Sequence, residues 1–444
     1  MSISILEFGA RRGAEPQTQA IQAAIDSLKE NGGRVVVPPG VWPCGTIWLR
    51  SGVDLHLEAG AVLKGTNRPD DYPFWDSTVE GRAVSRRVGP RRFVGAYDCE
   101  NVSVTGQGII DGDGGCAGQI DGPYGAEGHP QNLQFVHCRD VTVRDIKLRN
   151  AGSWMQVYHA CEQVLIEGIS VWNHPGYRTN DGLDIDGCQD VQIANCDIDS
   201  YDDALVFKST GPAQCKNIQV VNCHMRSNCH GIKFGTESVG GFQNILISNC
   251  IVTASRNPSP LPDYPDGRPP ITGCALECVD GGEMRNIHID GLLADGVFTP
   301  VFVKFGERLD RRLDEVTTPR GCIEDITISN MRARAVGPHV CSITGYPNFP
   351  IRRITLAHLD IDADGGIQDQ KDILKAVPES STAYPEVNMF TKKTGKVLPA
   401  YAFFLRHIHN IRMESVRFDL KNPDIRPSIY TEDVEGISLT GCNL

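Results

Sequence analysis

The chain has no apolar run approaching the roughly 18 residues that a membrane span needs. Its opening, MSISILEFGARRG, lacks the basic start and long apolar centre of a secretory leader, so a cytoplasmic location is the expectation. No basic stripe interrupts a sequence with 43 Lys and Arg against 55 Asp and Glu, and this argues against a nucleic-acid partner. The resulting net charge of −12 would also repel an acidic polymer unless local cations gripped it. The 16 cysteines form no Cys-x-x-Cys pair and no metal-ligand spacing, and neither a metal nor a cofactor is expected. They read as reduced, buried, small apolar side chains. No linker divides the 444 residues, so one domain over 1–444 is predicted.

What is present is one phrase, many times over. CENVSVTG begins at 99, CRDVTVRD at 138, CEQVLIEG at 161, CQDVQIAN at 188 and CKNIQVVN at 215. FQNILISN, MRNIHIDG, IEDITISN, IRRITLAH, IHNIRMES and VEGISLTG follow at 242, 284, 323, 351, 408 and 434. The steps 161, 188, 215 and 242 are each 27 residues apart. Each phrase has an apolar anchor and then Val or Ile alternating with polar residues, the period of a strand with one buried face. Asn and Gly at its end suit turns with unusual backbone angles. Such a unit cannot bury its apolar face alone, whereas a stack can. The Leu-x-x-Leu-x-Leu phrase of the rival leucine-rich repeat is absent. The prediction is an all-β chain, a single-stranded right-handed parallel β-helix from about residue 30. TQAIQAAIDSLKE (18–30) reads as a capping α-helix. Segments 254–271 and 365–400 read as loop insertions.

Two stretches inside this apolar pattern are crowded with acid. TNDGLDIDGC (179–188) and SYDDALVFKS (200–209) hold Asp181, Asp184, Asp186, Asp202 and Asp203. Buried like charges are costly unless something neutralises or uses them. Asp203 and His230 are 27 residues apart, one coil. Asp181 precedes Asp202 by 21 residues, again about one coil, though in a less clean register. Three carboxylates and an imidazole should therefore meet on one face.

With these residues in view, the sequence resembles the polygalacturonase-like glycoside hydrolases of family 28, in the pectinase superfamily. The likeness covers nearly the whole chain, beginning with the cap-like EFGARRGAEPQTQAIQAAIDSLKENGGRVVVPPG. Of the family's four signatures, Asn-Thr-Asp is matched by Thr179-Asn180-Asp181 and Asp-Asp by Asp202-Asp203. Gly-His-Gly is matched by Cys229-His230-Gly231. The fourth, Arg-x-Lys, is replaced by Ala275 and Glu277 in GCALEC. The resemblance implies an inverting hydrolase in which Asp202 is the general acid. Asp181 and Asp203 would handle the attacking water, and His230 would lie beside the acid. It implies a pectic carbohydrate as partner and no metal. Losing the Arg-x-Lys clamp, with repulsion from Glu277, points away from plain polygalacturonate. A rhamnogalacturonan-type or other galacturonic-acid-containing oligosaccharide, cut from the end, is the expectation. Asn180, Arg178, Lys208, Lys233, Glu277 and Lys304 are candidate substrate contacts, with Arg308 a possible aid to Lys304 in a replacement clamp.

Blander readings stand beside these. An Asp-Asp pair is most often a solvated turn, and a lone histidine a structural one. Asp184 and Asp186 read as turn or network acids. DGDGG (111–115) suits a tight turn as well as a calcium loop. Trp154, Trp172 and Tyr177 would line a sugar groove or simply pack. A calcium-dependent polysaccharide lyase, with Arg178 or Lys208 as proton acceptor, and a non-catalytic β-helix such as an adhesin are the alternatives. Neither requires three acids and a histidine in register.

Overall fold

A computed structural model describes residues 1–13, 15–66, 68–74, 91–113, 129–173, 179–256, 269–309, 321–379 and 394–444. The expected repeat is a parallel β-helix. In its central part each coil contributes three short strands, and each strand pairs with its counterpart one coil later. Every pairing between strands is parallel. One apolar row shows why the alternating pattern folds this way. It runs from Val35 through Leu55, Val104, Val143, Ile166, Ile193, Val220 and Ile247 to Ile289, each residue in register with the next. All of these side chains are buried. At about 1.5–3 kcal/mol for each large aliphatic side chain, such rows supply the driving force that no single coil has.

The anchors stack as the 27-residue spacing requires. Cys161 and Cys188 directly precede the strands Glu162–Glu167 and Gln189–Ala194, Cys215 opens Cys215–Val221, these strands are aligned coil to coil, and Cys215 pairs with Phe242. The Cys161 amide N–H donates to Cys188 Sγ at 3.4 Å. All three thiols are buried and none is in a disulfide. A second cysteine column, Cys196, Cys223 and Cys250, lies at another corner and was not singled out from sequence.

The cap differs slightly from expectation. The helix is Thr18–Ser27, with Ile21, Ala24 and Ile25 buried. It stops short of residue 30 because Leu28 already turns out of it, and the chain reverses through Gly32 at φ 66°. A Cβ on Gly32 would sit 2.8 Å from the Gly52 carbonyl, so the close approach needs glycine. Ser2–Ser4 precedes the helix and already pairs with Gly33–Val37, so the sheet begins before residue 30. The described part of 365–400 carries a helical turn, Gln370–Asp372. It also packs Val377, Leu398 and Ala400 against Phe404 in a small separate cluster. Of 254–271, residues 257–268 lie outside the described residues.

Candidate active site

The acids sit where one corner of the coil enters a run of strands stacked on successive coils. These are Gln156–His159, Leu183–Asp186, Leu205–Ser209, His230–Ser238, Thr272–Cys278 and Thr299–Phe305. Leu183 pairs with Leu205, and Leu205 with Ile232. Counting back two residues gives the column Asp181, Asp203, His230, continued by Thr272. The residues just before form a second column, Asn180, Asp202, Cys229. This corrects the expected register: Asp181 stands level with Asp203, not Asp202. Gly182 N–H donates to the Asp203 carbonyl at 2.8 Å, which fixes that level. The turn after Asp181, from Asp186 to Gln189, is five residues shorter than its counterpart from Lys208 to Lys216, which is why the spacing alone misplaced it.

Backbone and side-chain bonds hold the acids firmly. Asp202 N–H donates to Asn180 Oδ1, Thr179 N–H to Asp202 Oδ2, and Ser227 Oγ to the Asp202 carbonyl. Asn180 is fully buried, and its own carbonyl receives Asn173 and Ser200. It therefore positions Asp202. Lys233 Nζ lies 3.0 Å from Asp203 Oδ2. His230 Nδ1 is 2.8 Å from Thr272 Oγ1.

Lys208 is buried, and three carboxylates surround its Nζ: Asp181 at 3.3 Å, Asp184 at 3.5 Å and Glu237 at 3.6 Å. The Trp154 ring covers it, 4.5 Å from Nζ to the centroid. This cation holds the acids together and is not presented to a sugar. Glu237 continues the chain to Arg308 at 3.7 Å, and Arg308 grips Asp280 through two bonds. Sequence reasoning missed Glu237 and Asp280. Phe207 pairs with Phe234 but Ser209 pairs with Ser238, and this slip in register carries Glu237 to Lys208. No periodic pattern announces such an insertion.

Burial and charge split the carboxyls. Burial would raise Asp203, but Lys233, His230 and Lys208 overcome it and hold its carboxyl well below the usual range. Asp202 is raised by burial and by the Asp203 charge. Asp181 is pushed up to about 8 by burial and by Asp202 and Asp203, against the pull of Lys208. Asp184 is also raised, by burial and then by Asp181. Lys208 itself holds its proton more tightly than usual: burial works against that charge, and Asp181, Glu237 and Asp184 outweigh it. Asp186 is separate. Burial would raise it, but His159 at 2.7 Å and Thr210 keep it low. As expected of network acids, Asp184 and Asp186 serve ion pairs and hydrogen bonds.

Ala275 lies in register with Lys233, and Glu277 with Lys304. Glu277 is fully buried, and neither of its carboxyl oxygens has a hydrogen-bond partner. Burial pushes its carboxyl up to about 8, against Lys233 and with added pressure from Asp203. The repulsion expected from Glu277 is therefore muted, because at neutral pH it is mainly the uncharged acid. Lys304 is also buried. Of the expected contacts, the structure gathers Asn180, Lys208, Lys233, Glu277 and Lys304 along one run of coils. Arg178 and Tyr177 lie outside the described residues, as do the last two residues of 111–115. Trp172 is half-buried at the end of the strand Ser170–Trp172.

The parallel β-helix brings three acids and a histidine together in two adjacent columns, the arrangement that the resemblance to polygalacturonase-like hydrolases implies. Residues 50–259 match the model of the glycosyl hydrolases family 28. It is 28% identical over 217 residues to a probable polygalacturonase of Vitis vinifera, covering 47% of this chain and 44% of that one. It is 38% identical over 121 residues to an exo-poly-alpha-D-galacturonosidase of Dickeya chrysanthemi, covering 25% and 19%. The matched regions thus span less than half the length of either relative. The structure of the family 28 exopolygalacturonase of Yersinia enterocolitica superposes with a TM-score of 0.73 at 18% identity. That match covers 98% of this chain and 78% of the other, a likeness of fold.

Proposed function

We propose that the chain hydrolyses pectic oligosaccharides with inversion, from the chain end, using Asp202 as acid and Asp203 as base. The observation that carries this reading is the splitting of two adjacent carboxyls. Asp203, beside Lys233, is kept ionised, while Asp202, without such a partner, is pushed towards its protonated form. An inverting hydrolase needs this division: one group gives a proton to the leaving oxygen and another takes one from water. Asp181 shares the water with Asp203. His230, level with Asp203 and tied to Thr272, orients the pair. Exo action and a pectic substrate are supported by the similarity to the Dickeya protein.

The substrate is inferred from the altered fourth signature. Ala275 cannot hold a carboxylate, and the fully buried, largely uncharged Glu277 supplies no cation in place of the lysine. A neutral or reduced-charge residue next to galacturonate, as in rhamnogalacturonan-type oligosaccharides, fits better than consecutive galacturonates. Lys233, the most exposed of the site's lysines, is the cation left to meet one uronic carboxylate. A lyase finds less support, because Lys208 holds its proton too firmly to act as a proton acceptor.

The test is to incubate wild type and Asp202→Asn with polygalacturonate, oligogalacturonates and rhamnogalacturonan oligosaccharides, and to weigh the products. Wild type should release products that have gained water, fastest from the rhamnogalacturonan set. Asp202→Asn should be slower by about 10²–10⁴-fold, the usual worth of a general acid. Unsaturated products absorbing in the ultraviolet would move the chain to the lyases. Polygalacturonate as best substrate would leave specificity elsewhere than Ala275 and Glu277.

A further inference from the structure

We infer that Asp203, Cys229 and His230 form a binding site for a thiophilic divalent transition-metal cation such as zinc, within the catalytic centre. The site begins with a departure in sequence: where the family signature has glycine before the histidine, this chain has Cys229. One ligand atom from each of the three residues lies within 4.8 Å of the other two. Asp203 and His230 are buried, at 2% and 3% exposure, and Cys229 is partly open to solvent. A thiol, an imidazole and a carboxylate on one side of an opening are the donor set that zinc accepts. Three protein ligands with a fourth position for water is its common coordination outside structural sites.

A second observation concerns Asp203 itself. Its Oδ2 is taken by Lys233 at 3.0 Å, but Oδ1 is buried and has no hydrogen-bond partner. A buried carboxylate oxygen left so is costly unless something else approaches it. His230 is also prepared. In the tautomer where Nδ1 donates to Thr272 Oγ1, at 2.8 Å, Nε2 carries the lone pair. An outer partner that fixes the ring in this way is the normal companion of a metal-binding histidine. Ligand atoms around zinc stand about 3.3–3.8 Å apart, so the cluster would close by about 1 Å on binding, through side-chain rotation. The thiol would lose its proton to solvent as the cation binds.

Such a cation would occupy Asp203 Oδ1, the atom needed to accept the proton of the attacking water. It is therefore an inhibitor and no part of the reaction. That consequence rests on the proposed hydrolysis, whereas the binding does not. Hard cations such as magnesium and calcium should not compete, since thiolate and imidazole favour softer ions.

The experiment uses the full chain and cobalt(II) as the optical probe. One equivalent should bind with a thiolate-to-cobalt charge-transfer band, displaced by zinc and untouched by magnesium or calcium. Cys229→Ser should abolish the band, and His230→Ala should weaken binding by about 100-fold or more. Cys322→Ser, which alters another partly exposed thiol, should change neither. In turnover assays zinc should inhibit wild type reversibly, with a chelator restoring the rate, and should inhibit Cys229→Ser far less. Absence of a thiolate band, its survival in Cys229→Ser, or its loss in Cys322→Ser would overturn the site. A cobalt band in a protein that cleaves no pectic sugar would uphold the site and overturn the hydrolytic reading.

Discussion

At the scale of single residues, the site is governed by which carboxyls have a cation within reach. Asp203 has Lys233 at 3.0 Å and stays ionised; Glu277 is buried with no hydrogen bond and does not. A carboxyl raised in the folded state binds its proton more tightly there than when unfolded. Its cost is absent below the unfolded value near 4 and grows as pH rises towards about 8. Glu277→Gln keeps the shape and removes the titration. It should therefore stabilise the protein by about 1–3 kcal/mol near pH 8, the range for an unsatisfied buried group, and by little near pH 4.5. Thermal melts at the two pH values check this, and equal shifts at both would contradict it. The same change should also alter substrate preference, because it replaces an acid that can ionise above pH 8 with a permanent amide.

At the scale of elements, the turns matter as much as the strands. Asn217, Asn244 and Asn286 occupy the same corner on successive coils at φ 56°, 55° and 54°. Each side-chain amide donates to the residue one coil back: Asn244 to Asn217 at 3.1 Å and Asn286 to Asn244 at 2.9 Å. Asn tolerates the left-handed conformation that other side chains resist, and the ladder fixes the distance between coils. Asn244→Ala loses both the bonds and the tolerance, and should cost about 1–2 kcal/mol. Asn244→Gly loses the bonds alone and should cost less. Urea midpoints of the two variants test this, and equal losses would assign the whole effect to the bonds.

At the scale of the whole molecule, the stack decides what can meet. Asp203 and His230 are 27 residues apart in sequence and level in space, because one coil is one turn of the helix. The molecule also carries a net charge of −12, the wrong sign for a polyanionic pectic substrate. Raising salt should shorten the Debye length from about 30 Å at 0.01 M to about 8 Å at 0.15 M. The kcat/KM on a long galacturonate-rich chain should then rise severalfold. A short oligosaccharide with a single uronic acid should respond much less. A fall with salt on the long chain would show that local cations, not the overall field, control encounter.

The sequence by itself determined the coil. Eleven repeated phrases with period-two alternation can bury their apolar faces only by stacking, so the sheet, the Cys161–Cys188–Cys215 column and the Asp203–His230 level follow from spacing. The gathering of Asp181, Asp202, Asp203 and His230 on one face was also legible, because their spacing is close to one coil. What only the tertiary structure decided depends on departures from the period. A shortened turn after Asp181 set Asp181 level with Asp203. A slip between Phe207 and Ser209 brought Glu237 to Lys208 and turned that lysine inwards among three acids. The protonation of Glu277 was likewise decided by burial, which is a property of the packed coils and not of any residue read alone.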